Sequence, residues 1–330
     1  MEIDDYTLIK SLGKGSTGEA FLGSKKGSTE KYLIKKYDKS FLNSEHKKYF
    51  DNEISILKDI IHPNIIKLYE VKEKENEIYV VSEYYNGGDL NKFLEDYLKE
   101  KKESLSEEKV QHIMRQLIDA VKYLHDKRIM HRDLKCENIL LNYEDEKSRE
   151  NKDIMKATIK IIDFGFARYL KEGELASTIL GSPLHISPYI LNGLIHFEKN
   201  KNNKIGYNEK EEIWTLGTIC YELLTGEILF NAEDMDGLVI NVNKGDYYLP
   251  LTLSKEAVSF LNSMLQYESE KRLSAAQLSK HSFLKKNVSE FKKIGVNELK
   301  NVKIITKPTI IINTKENESI WENFGKNIEE

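Results

Sequence analysis

The stretch Ile129-Met-His-Arg-Asp-Leu-Lys-Cys-Glu-Asn-Ile-Leu-Leu141 sets a charged, amide-bearing loop between two apolar runs that would otherwise read simply as strands. Charge kept between buried strands must be paired or hydrogen-bonded, and such arrangements concentrate where chemistry is done. His131, Arg132, Asp133, Lys135 and Asn138 are the chemistry-bearing positions of this loop. A polar turn between two strands would explain the stretch if it stood alone. It does not stand alone, because patterned stretches of the same kind lie on both sides of it.

Size and charge limit what those stretches can be. A chain of 330 residues can bury a large core and fits about two domains or one bilobal unit. With 50 basic and 54 acidic residues the net charge is −4, so no overall basic field draws the chain to nucleic acid or an anionic membrane, and partners must be recognised locally. Two cysteines, Cys136 and Cys220, make no disulfide framework. No N-terminal apolar run reads as a signal peptide, and no run of about 18 apolar residues reads as a membrane span. The expected location is a reducing one, cytoplasmic with the nucleus as an alternative. Cys136, beside the loop, reads as a small packing residue in preference to a reactive thiol.

Tyr6 to Ala20 reads as a strand, a glycine-rich turn at Gly13, Lys14, Gly15, Ser16, Thr17 and Gly18, and a returning strand. A dinucleotide-binding fold would follow those glycines with a helix. Here an alternating strand ending at Lys35 follows, which favours a hairpin lid whose backbone N–H groups approach phosphate oxygens. Lys36 points to the opposite face. Lys47 to Ile60 carries a helical stripe of Phe50, Ile54, Leu57 and Ile61, with Glu53 among them, and His62-Pro63 stops it. Strands resume at Leu68 and at Ile78 to Val81. Phe93 to Leu98 and Ser106 to His125 read as helices, the second opened by a Ser106 cap and striped by Val110, Ile113, Leu117, Val121 and Leu124. Asn142 to Lys156 has almost nothing to bury and reads as a mobile, solvated loop. Thr158 to Ile162 is a strand delivering Asp163, Phe164 and Gly165; further helices are expected over Ile213 to Leu224 and Ala257 to Leu265.

Taken together, the glycine turn, Lys35, Glu53, the His131-Arg132-Asp133 loop with Asn138, and Asp163-Phe164-Gly165 resemble the eukaryotic protein kinases over residues 6–284. Lys135, two residues after Asp133, resembles the serine/threonine type, with Ser182 where those enzymes carry a small hydroxyl residue. Asp163 to Arg168 and Gly181 to Leu184 are similar to the autophagy-initiating subfamily. The resemblance implies an α+β bilobal fold: a small, mainly β lobe over residues 1–85, a large, mainly α lobe over 86–286 with an inserted loop at 142–157, and a tail over 287–330. It implies ATP and Mg2+, with Asp133 accepting the substrate hydroxyl proton, Lys135 steadying the γ-phosphate, and Lys35 held by Glu53. Asn138 and Asp163 would bind the metal. The nucleotide would meet Gly13, Lys14, Gly15, Ser16, Gly18, Ala20, Leu33, Lys35, Ser82, Glu83, Tyr85, Asp89 and Leu140. Protein substrates bearing Ser or Thr would dock along Gly181 to Tyr189, with Asp89, Glu137 and Glu222 matching positions that read upstream basic residues. An upstream kinase would phosphorylate Thr178, with Ser177 as competitor, creating a partner for Arg132.

Four departures matter. The family has glutamate at the position of Tyr189, pairing an arginine here represented by Arg272; losing the partner of a buried charge costs about 3–5 kcal/mol, part of which the Tyr189 hydroxyl or ring could recover. Glu212 stands where the family braces the catalytic loop with aspartate. Ala20 and Leu33 exchange bulk across the adenine roof. Ser82 is too short to close the space behind the adenine. The first two, together with the inserts, support an alternative, a catalytically weak pseudokinase acting as a binding scaffold. The tail's apolar patch, Val302 to Ile312, and Trp321 fit either docking on the domain or binding a partner.

Overall fold

A computed structural model describes residues 2–14, 18–41, 44–169, 183–197, 207–232, 235–250 and 252–292. Gly15, Ser16, Thr17, Ser177, Thr178, Gly181, Ser182 and the tail beyond residue 292 lie outside the described residues.

The first half is built on an antiparallel sheet of six strands: β1 Glu2–Ile3, β2 Tyr6–Lys14, β3 Gly18–Lys25, β4 Lys31–Asp38, β5 Leu68–Glu73 and β6 Glu77–Glu83, in the order β1-β2-β3-β4-β6-β5. Between β4 and β5 runs the helix α1, Ser44–Asp59, ending before Pro63 as the sequence predicts. Strand alternation sorts β6 between two cores. Tyr79 and Val81 join Ile3, Tyr6, Leu8, Tyr32 and Ile34 on one face, while Ile78 and Val80 meet Phe50 and Ile54 of α1 on the other. Each fully buried aliphatic side chain here contributes about 1.5–3 kcal/mol.

Helices α2, Leu90–Lys101, and α3, Glu107–Asp126, follow, and every member of the predicted α3 stripe is buried. Ser106 has the extended backbone of an N-cap but its side chain makes no cap hydrogen bond; Glu107 and Glu108 supply favourable negative charge to that end instead. The chain continues through β7 (Ile129–Met130), β8 (Ile139–Asn142), α4 (Glu146–Glu150) and β9 (Thr158–Ile161). It ends in the helices α5 (Pro188–Phe197), α6 (Glu209–Thr225), α7 (Met235–Lys244) and α8 (Lys255–Met264), with short turns to residue 290. No helix among the described residues is long and apolar enough to cross a membrane.

The chain divides into two compact units, Met1–Phe93 with Glu137–Arg168, and Leu94–Cys136 with Tyr169–Glu330. The division follows contacts where the sequence suggested a boundary near residue 86. Within the first unit, hydrogen bonds stitch the β8–β9 hairpin to the segments just before β5 and just after β6. Gly87 N–H donates to Leu141 O at 2.9 Å, Leu141 N–H to Gly88 O at 2.8 Å, and Ile66 N–H to Ile161 O at 2.9 Å. The Asn86 amide also takes both backbone groups of Tyr143, at 2.9 and 2.8 Å.

The inserted segment is folded, correcting the expectation of a loop with nothing to bury. Asp145 caps α4 by accepting from Ser148 N–H at 2.8 Å, Asp153 caps the turn Ile154–Lys156, and Tyr143, Ile154 and Ala157 are buried. Polar composition concealed this because the aspartates satisfy backbone donors that a solvated loop would leave to water.

Candidate functional site

The first unit gathers the predicted nucleotide and metal residues. Residues 33, 35 and 37 of β4 share one face, with Ala20 opposite Lys35 and Leu22 opposite Leu33 in register. Lys36 faces the other way and pairs with Glu77 at 2.5 Å, as its alternation predicts. Gly13, Lys14, Gly18, Ala20 and Lys35 line a pocket of about 360 Å³. A Cβ on Gly18 would lie 2.2 Å from Lys36 O, so no larger residue fits where the turn meets β4.

Glu53 lies on α1 within electrostatic range of Lys35 and Asp163. Burial raises its pKa; the charge of Lys35 opposes the rise, Asp163 adds to it, and the Phe164 N–H opposes it. The carboxyl is therefore easier to protonate than an ordinary glutamate, and added positive charge at the site would favour its ionised form. Tyr37, which the sequence reading passed over, forms part of the pocket wall and packs edge-on to Phe50 at 5.1 Å. Its phenol is pushed up by burial and then by the charges of Glu53 and Asp163. Its place two residues after Lys35, on the same strand face, was the available signal.

Asn138 and Asp163 come together through Ile162, whose N–H donates to Asn138 O at 3.0 Å. Asp163 has φ 65°, a left-handed conformation uncommon outside glycine, and its Oδ1 accepts from Gly165 N–H at 3.3 Å. No cluster of three or more His, Cys, Asp or Glu suited to a metal occurs among the described residues. A carboxylate and an amide are the hard oxygen donors that suit a cation drawing its remaining ligands from phosphate and water.

Ser82 is buried in β6 and its Oγ donates to Leu33 O at 3.4 Å. Glu83 uses its N–H on Lys67 O at 2.9 Å, and its carboxylate takes Lys160 Nζ at 3.0 Å and the Tyr85 hydroxyl at 3.0 Å. Asp89 bridges to Leu140 in antiparallel fashion, and its Oδ1 accepts from Lys92 N–H at 2.7 Å at the start of α2. Asp89 thus has a helix-capping role that the sequence reading did not assign.

The second unit holds Asp133 and Lys135, paired at 3.0 Å, with Asp133 buried. Arg132 has φ 68°, and its N–H donates to Glu212 Oε1 at 2.7 Å, while Glu212 Oε2 meets His125 Nε2 at 2.7 Å. Burial works against the Glu212 charge, but the hydrogen bond and charge of His125 and the Arg132 N–H outweigh it and hold the carboxyl below its ordinary range. The longer side chain therefore reaches the loop backbone. His185 shares a small cavity with Asp133; burial holds its imidazole neutral down to about 4, with Asp133 opposing and Lys135 reinforcing the shift.

Arg272 keeps an anion, which overturns the expected loss. Its Nη1 lies 2.9 Å from Glu211 Oε2, both side chains are fully buried, and the Trp214 ring lies 5.2 Å away. Tyr189, the expected substitute, is 44% exposed. Position 211 carried no sequence signal beyond being one more glutamate in an acidic first turn.

Residues 6–284 match the family model described as protein kinase domain. The chain is 33% identical over 291 residues to the serine/threonine-protein kinase atg1 of Dictyostelium discoideum, an alignment covering 86% of this chain and 40% of that protein. It is 33% identical to a probable myosin light chain kinase and 32% identical to myosin light chain kinase A of the same organism. Those alignments cover 87% and 86% of this chain and 85% and 89% of the relatives.

Proposed function

The chain belongs to the protein kinase family, with serine/threonine kinases as its relatives, and from that premise we propose that it moves the γ-phosphoryl group of ATP to Ser and Thr hydroxyls of proteins. The observation that carries the proposal is the convergence of Lys35, Glu53 and Asp163, with Asn138 bonded to the residue before Asp163, in one compact unit beside a glycine-lined pocket. Phosphoryl transfer through a loose transition state asks mainly for alignment and charge neutralisation, which these residues supply.

In this reading Lys35 binds the α- and β-phosphates, Asp133 orients the substrate hydroxyl and accepts its proton, and Lys135 neutralises charge on the transferred group. Asp163 and Asn138 hold Mg2+, which when bound shields the charge of the phosphate oxygens. Phosphorylation at Thr178 by an upstream kinase would add a partner for Arg132 and raise activity. The subfamily placement near the autophagy-initiating kinases rests on short motifs and on the likeness to atg1. A reducing compartment such as the cytoplasm fits two buried cysteines that form no disulfide.

Of the features behind the pseudokinase alternative, the Tyr189 and Glu212 departures carry less weight beside the Glu212 bond to Arg132 N–H and the Glu211 pair with Arg272, and the inserts bear on neither reading. Transfer of labelled phosphate to a generic basic protein tests the reading, with Asp133→Asn and Lys35→Met as comparisons. Both substitutions should abolish transfer, and Thr178→Ala should lower it about tenfold or more. Equal labelling by parent, Asp133→Asn and Lys35→Met would overturn the reading.

A further inference from the structure

Arg272 is fully buried and donates to Lys210 O at 2.8 Å, Gln266 O at 2.8 Å and Tyr267 O at 3.2 Å as well as to Glu211. The same Glu211 oxygen accepts a hydrogen bond from the Ser187 hydroxyl, which itself accepts from Ile190 N–H at 3.3 Å in the first turn of α5. Further along α6, Thr215 Oγ1 donates to His185 O at 3.2 Å, and Thr218 Oγ1 meets His185 Nδ1 at 2.8 Å. Positions 211, 215 and 218 share one helix face, so residues 185–187 are fastened to α6 at three points.

The next residue, Glu212, is turned about 100° round the helix. It holds the N–H of Arg132, immediately before Asp133. A cavity of about 20 Å³ separates the two attachments, walled by Arg132, Asp133, His185, Ser187, Tyr207 and Glu211 among others. Two adjacent glutamates in one helical turn thus hold two loops, one carrying the catalytic aspartate and the other the end of the segment read as receiving the substrate.

We propose that Glu211 is a positioning residue for phosphoryl transfer. By tying Ser187 and Arg272 to the helical turn that also holds the Asp133 loop, it sets the register between the substrate-receiving segment and the residue that takes the hydroxyl proton. The inference rests on the roles proposed above for Asp133 and for residues 181–189. An ion pair with a purely structural role would stabilise this unit without affecting how substrate is handled.

Ser187→Ala cuts the tie from Glu211 to the segment while leaving the Glu211–Arg272 pair and the two His185 attachments in place. The double variant Glu211→Met with Arg272→Met removes both buried charges together, a change such pairs often tolerate in stability. The full chain and both variants are compared in melting temperature and in steady-state transfer to a synthetic serine peptide flanked by Arg and Lys, with ATP and peptide varied separately. Ser187→Ala should lower the melting temperature by several degrees, as loss of one buried hydrogen bond to a charged group does, and at temperatures where it stays folded it should lower kcat/KM for the peptide about tenfold with the KM for ATP at its parental value. The double variant should melt near the parent and still show the peptide defect. Parental peptide kinetics in Ser187→Ala, or a double variant with both stability and peptide kinetics intact, would overturn the inference. Should the double variant fail to fold, Ser187→Ala decides alone. A parent chain that transfers no phosphate would instead overturn the phosphotransfer reading, so the two failures are distinct.

Discussion

Replacing Glu212 by alanine removes a fully buried carboxylate that accepts from Arg132 N–H at 2.7 Å and meets His125 Nε2 at 2.7 Å. Hydrogen bonds to a charged group are worth about 1.5–3 kcal/mol each, and a buried donor left without an acceptor costs about 1–3 kcal/mol. Two such bonds, partly made up by relaxation, put the loss for Glu212→Ala on the order of 3–5 kcal/mol, a large fraction of a domain's stability. Glu212→Gln keeps an oxygen for Arg132 N–H, and His125 can accept from the new amide by moving its proton to the other ring nitrogen; its loss should be about 1–2 kcal/mol. Denaturant midpoints compared at constant slope give both numbers, and peptide kcat reports whether the left-handed backbone at Arg132 still presents Asp133.

The pH dependence of Glu212 has a definite sign. The folded carboxyl lies below its ordinary value of 4.5, so its contribution is present in full above about pH 4.5 and is lost as pH falls through the lowered folded value. The parent should therefore lose stability more steeply than Glu212→Gln below pH 4.5. An alanine variant as stable as the parent would refute the claim that this carboxylate braces the loop, and a glutamine variant as damaged as the alanine one would show that the brace needs the charge and not only an oxygen.

Three further outcomes are expected. His185 is held neutral to about 4 against an ordinary 6.5, so protonation favours the unfolded chain and parental stability should fall by up to about 3 kcal/mol from pH 6.5 to 4; His185→Asn should flatten that slope, and an unchanged slope would assign it elsewhere. Gly18→Ala forces a Cβ within 2.2 Å of Lys36 O and should weaken ATP binding about tenfold or more in a nucleotide titration; parental affinity would show that the turn can shift without consequence. Purine-like inhibitors with a large aromatic group should gain about 25 cal/mol per Å² of apolar surface buried behind Ser82 and lose it in Ser82→Met, whereas equal binding to both would mean that Leu57 or Phe164, both buried, already fills the space.

The order of strands and helices was legible in the sequence because it depends on local regularities, while the roles of Lys35, Glu53, Asp133, Asn138 and Asp163 were expected from the family resemblance. Periods of two and near four residues, a proline stop, and fixed short spacings after a strand are properties of neighbouring residues. The capping of the 142–157 segment was nearly legible, since Asp145 and Asp153 stand at cap positions, but polar composition outweighed them. The partner of Arg272 was not legible. An ion pair selects whichever carboxylate lies within hydrogen-bond distance in space, and Glu211 is separated from Arg272 by 61 positions along the chain. Sequence alone determined that a buried arginine needed an anion. Only the packing of α6 against the turn that precedes Arg272 decided that residue 211 supplies it, because a first-turn position on α6 faces Arg272 while Tyr189 turns toward solvent.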